Sequence, residues 1–332
     1  MSAVTNKKSH PQSLGTNPRN RILTTGSIAG TGISVPSQII PNSYFEEELG
    51  LKTSDAWIQQ RIGIFERRFA RPEETTSQFA AAAARQALES ANCSAKDIDL
   101  ILVATSTPEF VMPATACLVQ QELEASNASA FDLNSACAGF AVAMDVAVRY
   151  LQSGMKNILI IGVDLGSRLV DMQDRSTCVF FGDGAGALVL SSQGPGKILA
   201  SQTTSAGNAE PLQVPIGGKM SMDGRAIWDF ATDIIPKTIF QLCEAAQISA
   251  AQLDLIVPHQ ANRNILEQAA KSLGMHTDQF AINIQKYGNT MAASIPIALH
   301  EAFQDGKAVP GTYMAIVGFG AGLTWGGTLL QL

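Results

Sequence analysis

The chain has 332 residues, of which 46% are hydrophobic and 16% are charged, and its formal net charge is −6. That many apolar side chains can bury a large core, in one large domain or in two closely packed halves. The acidic balance argues against a general nucleic-acid-binding protein, because such proteins present an excess of Lys and Arg to the phosphates.

The N-terminal residues 1–20 are polar and contain no apolar signal core, so we interpret them as a disordered extension. No run of about 18 uncharged apolar residues has the character of a membrane span. The five cysteines are odd in number and include no CxxC pair. A disulfide framework and a zinc site are therefore disfavoured, and we expect a cytoplasmic protein without a metal ion or a membrane partner.

From Arg21 onward, predicted strands and helices alternate, which indicates an α/β fold. Strands are predicted at 21–30, 99–104, 131–133 and 157–163, and helices at 77–91 and 137–153. The strands DLILVA and NILIIGV are apolar without alternation, as is typical of strands covered on both faces of a sheet. Gly154 is placed to end the second of these helices.

The second half of the chain repeats the order of the first. The matching segments are 77–91 with 232–246, 94–103 with 249–258, 130–154 with 281–306, and 158–162 with 315–319. Isolated similarities between α/β units arise by chance, but these four recur in the same order. We therefore interpret the chain as a duplication, with an N-terminal half at 21–195 and a C-terminal half at 196–332.

Three chemically active side chains fall at strand-to-helix junctions of the repeated pattern. Cys137 opens a predicted helix, Asn289 lies at the matching place in the second half, and His259 ends a predicted strand. Ligand sites in open α/β sheets form beyond the carboxyl ends of strands, so the three are expected to converge. A helix N-terminus carries partial positive charge, which is expected to lower the pKa of the Cys137 thiol. Such a cysteine can accept an acyl group as a thioester.

The segments that carry these residues resemble the motifs of the β-ketoacyl-[acyl-carrier-protein] synthase III (ketosynthase III) family. The motifs are DLNSACAGF around Cys137, PHQAN at Pro258–Asn262, YGNT at Tyr287–Thr290 and GFGAGLTWG at Gly318–Gly326. Two further segments, 53–68 and 181–190, are also similar, so the resemblance covers about residues 21–332. It implies the thiolase fold, with duplicated α/β halves in a five-layered α-β-α-β-α arrangement.

The resemblance implies a Claisen condensation without a cofactor, in which the substrates are CoA and phosphopantetheine thioesters. An acyl-CoA first acylates Cys137, and a malonyl thioester then loses CO2 to give an enolate that attacks the acyl-enzyme. His259 and Asn289 are expected to donate hydrogen bonds to the malonyl thioester oxygen. Backbone N–H groups of Cys137 and Ala321 are expected to form the oxyanion hole for the acyl intermediates.

The same resemblance implies residues that bind CoA and a partner subunit. Trp57 and Arg61 match positions that stack on the adenine and flank the nucleotide, and Arg168 matches an arginine near the phosphates. Trp228 matches a position that lines the pantetheine tunnel. Met112 matches a position that reaches across a homodimer to the acyl pocket. An acyl carrier protein is the expected macromolecular partner, and nucleic acid is not.

Five positions depart from the usual pattern. Met291 replaces a serine and Ala321 a glycine, while Asp229 and Asn264 stand where basic residues help to bind the acidic carrier protein. Met112 is slimmer than the usual phenylalanine, which favours acyl primers longer than acetyl. These departures leave open a specialised enzyme of polyketide or other secondary metabolism, which transfers acyl groups or joins two acyl chains.

Two other classes of protein are alternatives. Cys, His and Asn occur in the same chain order in papain-like proteases, but those lack a duplicated α/β body, and the local signature CGSCW is absent here. A non-catalytic binding protein on the same fold is the second alternative. Loss of acyl transfer after alkylation of Cys137 would exclude it.

Overall fold

The computed structural model describes residues 21–332, so the extension predicted at 1–20 lies outside the described residues. The strands are β1 (Arg21–Thr25), β2 (Ser27–Ser34), β3 (Gln38–Pro41), β4 (Glu66–Phe69), β5 (Leu100–Ala104), β6 (Ser129–Leu133), β7 (Asn157–Leu165), β8 (Asp183–Ser191), β9 (Lys197–Asn208), β10 (Leu212–Gln213), β11 (Ser221–Met222), β12 (Leu255–Pro258), β13 (Tyr313–Gly320) and β14 (Gly322–Gln331). The helices are α1 (Ser43–Glu47), α2 (Asp55–Ile62), α3 (Thr76–Ser90), α4 (Thr115–Leu123), α5 (Gly139–Gln152), α6 (Arg175–Cys178), α7 (Gly224–Ala246), α8 (Arg263–Leu273), α9 (Ile284–Tyr287) and α10 (Ser294–Gln304).

Two five-stranded sheets carry the predicted duplication. Their strand orders are β2-β8-β7-β5-β6 and β1-β9-β14-β13-β12. In the first sheet β7 pairs parallel with β5 and antiparallel with β8, and in the second β13 pairs parallel with β12 and antiparallel with β14. The counterpart of β6 is reduced to a single parallel bridge between Ile256 and Phe280. The predicted boundary between the halves falls between the end of β8 and the start of β9.

The segment 21–30, predicted as one strand, forms two strands that belong to different sheets. β1 pairs antiparallel with β9 in the second sheet, whereas β2 pairs antiparallel with β8 in the first. The break lies at Gly26, where a Cβ atom would come within 2.5 Å of the Ile198 side chain on β9. Glycine therefore allows the chain to pass close to the second sheet before it enters the first.

Five layers follow from the way that the strands divide their side chains. Leu100 and Leu102 of β5 pack into a central layer that contains α5 and α10, whereas Ile101 and Val103 pack against α3 and α4. On the second sheet, Ile316 faces the central layer, and neighbouring side chains face α7 and α8. Both faces of each sheet are covered, which explains the apolar runs in the sequence. The predicted α-β-α-β-α arrangement is confirmed.

No helix in the described part of the chain combines the length and the apolar character needed to cross a bilayer. Across residues 21–332, no three His, Cys, Asp or Glu side chains come together in a group that could hold a metal ion. All five cysteines are free thiols.

Candidate active site

Cys137 lies in a sharp turn between β6 and α5. The turn is a 3₁₀ turn over Ala136–Ala138, so the α-helix begins two residues later than predicted, at Gly139. Ala136 has a φ of +47°, a left-handed conformation that residues with a Cβ rarely adopt. The Asn134 side chain stabilises it by accepting a hydrogen bond from the Ala136 N–H at 3.1 Å.

The second half contains the same turn, which revises the predicted alignment of the halves. A 3₁₀ turn over Met291–Ala293 precedes α10, and Met291 has a φ of +50°. The Asn289 side chain accepts a hydrogen bond from the Met291 N–H at 2.9 Å. The counterpart of Asn289 is therefore Asn134, and the prediction that Asn289 matches Cys137 is wrong. The sequence conceals the second turn because Met and Ala occupy it, rather than a cysteine or glycine.

The three predicted side chains line one cavity. Cys137, His259 and Asn289 are 4%, 1% and 6% exposed, and all three border an empty volume of about 650 Å³ that includes its mouth to solvent. The rest of the lining is mostly apolar and includes Phe180, Phe181, Leu212, Met222, Ile227, Trp228, Phe230, Ala261, Ile265 and Phe319. The first half contributes the sulfur and the second half contributes the imidazole and the amide. Their catalytic roles remain predictions.

Burial keeps the Cys137 thiol protonated. The pKa is raised to about 12, mainly by desolvation and also by the nearby charge of Asp164, while a hydrogen bond from its own backbone N–H acts to lower it. The prediction that the helix start lowers this pKa is wrong, because burial of the sulfur outweighs that hydrogen bond. In the resting site Cys137 is a thiol, and its proton must leave as the acyl group arrives.

His259 is a neutral imidazole held by a serine that the sequence analysis missed. Its Nδ1 lies 2.7 Å from the Ser294 Oγ, which also accepts a hydrogen bond from the Gln260 N–H at 3.3 Å. Burial lowers the pKa of His259 to about 3. Either atom can donate in the contact between Ser294 and Nδ1; when the Ser294 hydroxyl donates to Nδ1, the proton of the neutral ring lies on Nε2. Ser294 is the first residue of α10 and matches Gly139, the first residue of α5, in the repeat. That position could have indicated its role from the sequence.

We expect Ser294→Ala to lower the rate of malonyl decarboxylation by about 5- to 10-fold, the value of one hydrogen bond of about 1 kcal/mol. The imidazole would lose the partner that fixes its tautomer. Release of CO2 from malonyl-CoA measures the effect, and acyl loading of Cys137 in the same variant is the control. An unchanged rate of decarboxylation would show that Ser294 does not orient His259.

Asn289 is fixed on three sides. Its N–H donates to the Phe180 carbonyl at 2.8 Å, and its carbonyl accepts from the Gly182 N–H at 3.0 Å. Since its side-chain Oδ1 accepts from Met291, the Nδ2 amide group is the donor that Asn289 can offer to a ligand in the cavity. The two backbone hydrogen bonds give the Asn289 amide a defined orientation although the residue lies on a loop.

Gly320 keeps the backbone beside the cysteine accessible. A Cβ atom at this position would lie 2.9 Å from the backbone nitrogens of both Cys137 and Ala138. Glycine therefore leaves the Cys137 N–H open to a ligand oxygen, which is the geometry that an oxyanion hole requires. Ala321 follows directly and packs in the apolar cluster that contains Cys137. Ala321 was predicted to contribute to the oxyanion hole and Gly320 was not, although the GFGAG motif contains both.

Trp57 contacts an arginine that was not predicted from the sequence. The Arg175 guanidinium lies over the Trp57 ring, 4.7 Å from its centroid, and donates to the Lys52 carbonyl at 3.2 Å. An indole face beside a cation suits a nucleotide base with its phosphates. The two residues are 118 positions apart, and nothing in the sequence around Arg175 marks the contact.

The two other predicted CoA-binding arginines have different surroundings. Arg168 donates to the carbonyls of Arg71 and Glu74, at 3.1 and 2.5 Å, so it holds a neighbouring loop. Arg61 lies in the last turn of α2, and its carbonyl accepts a hydrogen bond from the Asn264 side chain at 3.0 Å. Asn264, which stands where a basic residue was expected, therefore joins α8 to α2.

Trp228 borders the cavity, and its role in lining the pantetheine tunnel stays a prediction. Met112 does not border the cavity, because it is 81% exposed on the loop before α4. Asp229, the other position where a basic residue was expected, forms an exposed ion pair with Arg225 at 3.0 Å on α7. Neither Met112 nor Asp229 therefore contacts the cysteine within one chain.

The chain matches one protein family along much of its length. The family model described as 3-oxoacyl-[acyl-carrier-protein (ACP)] synthase III matches residues 131–207, and the model for its C-terminal part matches residues 243–332. The chain is 44% identical over 307 residues to the beta-ketoacyl-[acyl-carrier-protein] synthase III of Aquifex aeolicus, which covers 92% of this chain and 98% of the relative. It is also 44% identical over 316 residues to the enzyme of the same name from Neisseria meningitidis, with the same coverage of both chains.

Solved structures give the same result. The crystal structure of the Aquifex aeolicus 3-oxoacyl-[acyl-carrier-protein] synthase III has a TM-score of 0.89 and 43% identity, and covers 92% of this chain and all of that one. The priming β-ketosynthase of the R1128 polyketide pathway has a TM-score of 0.86 and 31% identity, and covers 94% of this chain and 97% of that one. The identity and coverage are sufficient to assign the family. The chain belongs to the β-ketoacyl-[acyl-carrier-protein] synthase III family.

Proposed function

We propose that this acyltransferase forms a carbon–carbon bond between an acyl group carried on Cys137 and the two-carbon unit left by a malonyl thioester. The observation that supports the proposal is the meeting of a buried thiol, a neutral imidazole and an oriented amide in one apolar cavity. The substrates are thioesters, and the proposed reaction uses no cofactor.

In the first half-reaction the Cys137 sulfur attacks the carbonyl carbon of an acyl-CoA. The carbonyl oxygen becomes an oxyanion, which the N–H groups of Cys137 and Ala321 stabilise. When the intermediate collapses, the bond to the CoA sulfur breaks and CoA leaves. The proton of the Cys137 thiol moves to the CoA sulfur. The thioester is therefore transferred from CoA to Cys137, and CoA leaves as the free thiol.

In the second half-reaction a malonyl thioester takes the place of CoA. Its carboxylate leaves as CO2, and the electron pair of the broken bond forms an enolate. The enolate oxygen accepts hydrogen bonds from the Nε2–H of His259 and the Nδ2–H of Asn289. The enolate carbon then attacks the acyl group, and the Cys137 sulfur leaves and recovers a proton. The apolar lining favours loss of the charged carboxylate as neutral CO2.

We propose that CoA binds with its adenine at the pair formed by Trp57 and Arg175, and that Arg61 flanks the nucleotide. Arg175 is preferred to Arg168 for the phosphates, because Arg168 already donates to two carbonyls. Trp228 lines the proposed path of the pantetheine arm to Cys137. The malonyl group is proposed to arrive on an acyl carrier protein.

The housekeeping form of the reaction is favoured over a specialised one. Relatives at 40–44% identity are named beta-ketoacyl-[acyl-carrier-protein] synthase III, whereas the polyketide-priming enzyme is 31% identical. The proposal is tested by incubating the protein with an acyl-CoA and a malonyl thioester, on CoA and on a carrier protein. Formation of a β-ketoacyl thioester with release of CO2 supports it, and acyl transfer to an alcohol or amine without loss of CO2 contradicts it.

We expect primers longer than acetyl to react at least as well as acetyl. The slim, flexible Met112 of a second copy is proposed to close the acyl pocket, where each buried methylene gains about 0.8 kcal/mol, or about fourfold in binding. The measurement is kcat/KM for acetyl-, butyryl-, hexanoyl- and octanoyl-CoA. A steady fall from acetyl onward would refute the expectation and would point to the added bulk of Met291 and Ala321.

We expect the protein to be a homodimer. Phe110, Val111 and Met112 are 54%, 97% and 81% exposed on one loop, an apolar tip that a second copy would cover. Light scattering at micromolar concentration should give twice the chain mass. A stable monomer would contradict this expectation and would also remove the proposed role of Met112 in the pocket.

A further inference from the structure

Asp164 is a fully buried carboxylate, close to the cavity, that the mechanism above does not use. It lies near the end of β7 and accepts hydrogen bonds through both oxygens. Its Oδ1 accepts from the Ser106 N–H at 2.7 Å and from the hydroxyls of Thr105 and Thr107 at 3.3 and 3.2 Å. Its Oδ2 accepts from the Ala292 N–H at 3.0 Å.

Ala292 belongs to the turn that orients Asn289. The N–H of Met291 is bound by the Asn289 side chain, and the next N–H along the chain, that of Ala292, is bound by Asp164. We propose that Asp164 is a positioning residue for malonyl decarboxylation, whose carboxylate ties the end of β5 to the Met291–Ala293 turn and thereby fixes the Asn289 amide. This inference rests on the proposed function of Asn289.

The contact requires two acceptor oxygens. Donors approach from two separate elements, Ser106 on one side and Ala292 on the other, and an ionised carboxylate accepts through both oxygens without a competing proton. An asparagine would turn its NH2 group toward one of these N–H donors. Burial raises the pKa of Asp164 and its four hydrogen-bond donors lower it, with a net value of about 7. The carboxylate is therefore fully formed only above neutral pH, and because burying a charge is costly, holding it there lowers stability.

The repeat gives a second reason. Leu100 matches Leu255 in the repeat, and these residues pair with Ile158 and Met314 on the neighbouring strands. Counting six residues on from Ile158 and from Met314, Asp164 corresponds to Gly320. Gly320 leaves the Cys137 N–H accessible for a substrate oxygen, whereas Asp164 occupies the corresponding N–H of Ala292. The N–H of the Cys137 turn is therefore open to a substrate oxygen, whereas the matching N–H of the other turn is occupied by the Asp164 carboxyl group.

The test is a double-mutant cycle with Asp164→Asn and Asn289→Ala. Acyl loading is followed by the intact mass of the protein, and decarboxylation by CO2 release from malonyl-CoA. We expect Asp164→Asn to lower kcat for decarboxylation by about 10- to 100-fold, as for a small misplacement of a catalytic group, with KM little changed. Acyl loading should not fall, because removing the Asp164 charge removes one cause of the raised Cys137 pKa. The double variant should be no slower than Asn289→Ala alone, because both changes disable the same donor.

Asp99→Asn is the matched control. Asp99 precedes β5 and accepts from the N–H groups of Lys156 and Asn157, so it ties β5 to β7 at the end remote from the cavity. We expect it to lower stability without changing either half-reaction. Thr105→Val removes a single donor to Asp164 and serves if Asp164→Asn does not fold; its decarboxylation should fall by about three- to tenfold in the same non-additive way.

Three results would overturn the inference: losses that add in the double variant, equal falls in loading and decarboxylation, or unchanged decarboxylation in a folded Asp164→Asn or Thr105→Val. Failure of the proposed function looks different. In that case Asn289→Ala itself decarboxylates malonyl-CoA at the full rate, whatever the result at Asp164.

Discussion

Replacing Cys137 by Ala or Ser should reduce covalent acyl loading by about 1000-fold or more, the scale of loss when a catalytic nucleophile is removed. Alanine has no nucleophile. Serine has one that is harder to ionise, and the neutral His259, with a pKa near 3, is too weak a base to activate it. The protein should still fold, because both replacements fit the space of the buried thiol. Intact-mass measurements after incubation with acyl-CoA provide the readout.

The other buried cysteines supply the control for this experiment. Burial raises the pKa of Cys178 and of Cys243 to about 11, so both resemble Cys137 in their protonation. Neither borders the cavity. Cys243→Ala should therefore load normally. If a Cys137 variant still gains the acyl mass at the wild-type level, another residue is the acceptor and the proposed first half-reaction is wrong.

His259→Ala and Asn289→Ala should still load acyl groups but should lose about 100- to 1000-fold in malonyl decarboxylation, the usual cost of one oxyanion donor. Both groups donate to the enolate oxygen, which carries negative charge only after CO2 begins to leave. Because burial lowers the pKa of His259 to about 3, His259 should cause no inflection in the decarboxylation rate of the wild-type protein between pH 5.5 and 8. A fall in rate as the pH drops through about 7 is expected from Asp164, whose carboxylate is then protonated, and Asp164→Asn should not show it. CO2 release across pH 5.5–8 provides the measurement.

His300 is the matched control for His259. It is also buried, its pKa is also lowered by burial, and its Nδ1 lies 3.0 Å from the Thr31 hydroxyl, away from the cavity. His300→Ala should change stability and leave decarboxylation intact. If His259→Ala loses acyl loading as severely as decarboxylation, then His259 acts as a base for Cys137, and the separation of the two half-reactions fails.

The elements that could be predicted from the sequence are those with a local pattern. The strands around Ile101 and Ile160 were marked by apolar runs, and the places of Cys137, His259 and Asn289 by motifs at strand ends. The segment 21–30 was misread because its split depends on close approach to Ile198, which lies in a distant strand. No residue type in that segment indicates which sheet it joins.

The predictions that failed inside the site depend on tertiary surroundings. The raised pKa of Cys137 follows from burial of its sulfur, which cannot be read from the residues next to it in the sequence. The left-handed φ angles at Ala136 and Met291 were not predicted, because this conformation is usually adopted by glycine. Ser294 and Arg175 acquire their roles through contacts with residues 35 and 118 positions away, His259 and Trp57.

The paired turns at Ala136–Ala138 and Met291–Ala293 also bear on how such a catalyst could arise. Two identical subunits joined by a twofold axis must carry the same side chain in both turns, so each change made to one is imposed on the other. Joining the halves in one chain removes that constraint. The Ala136–Ala138 turn can then carry the nucleophile, while the Met291–Ala293 turn orients Asn289. Covalent fusion therefore allows an asymmetry that is not possible in a symmetric dimer of half-length chains.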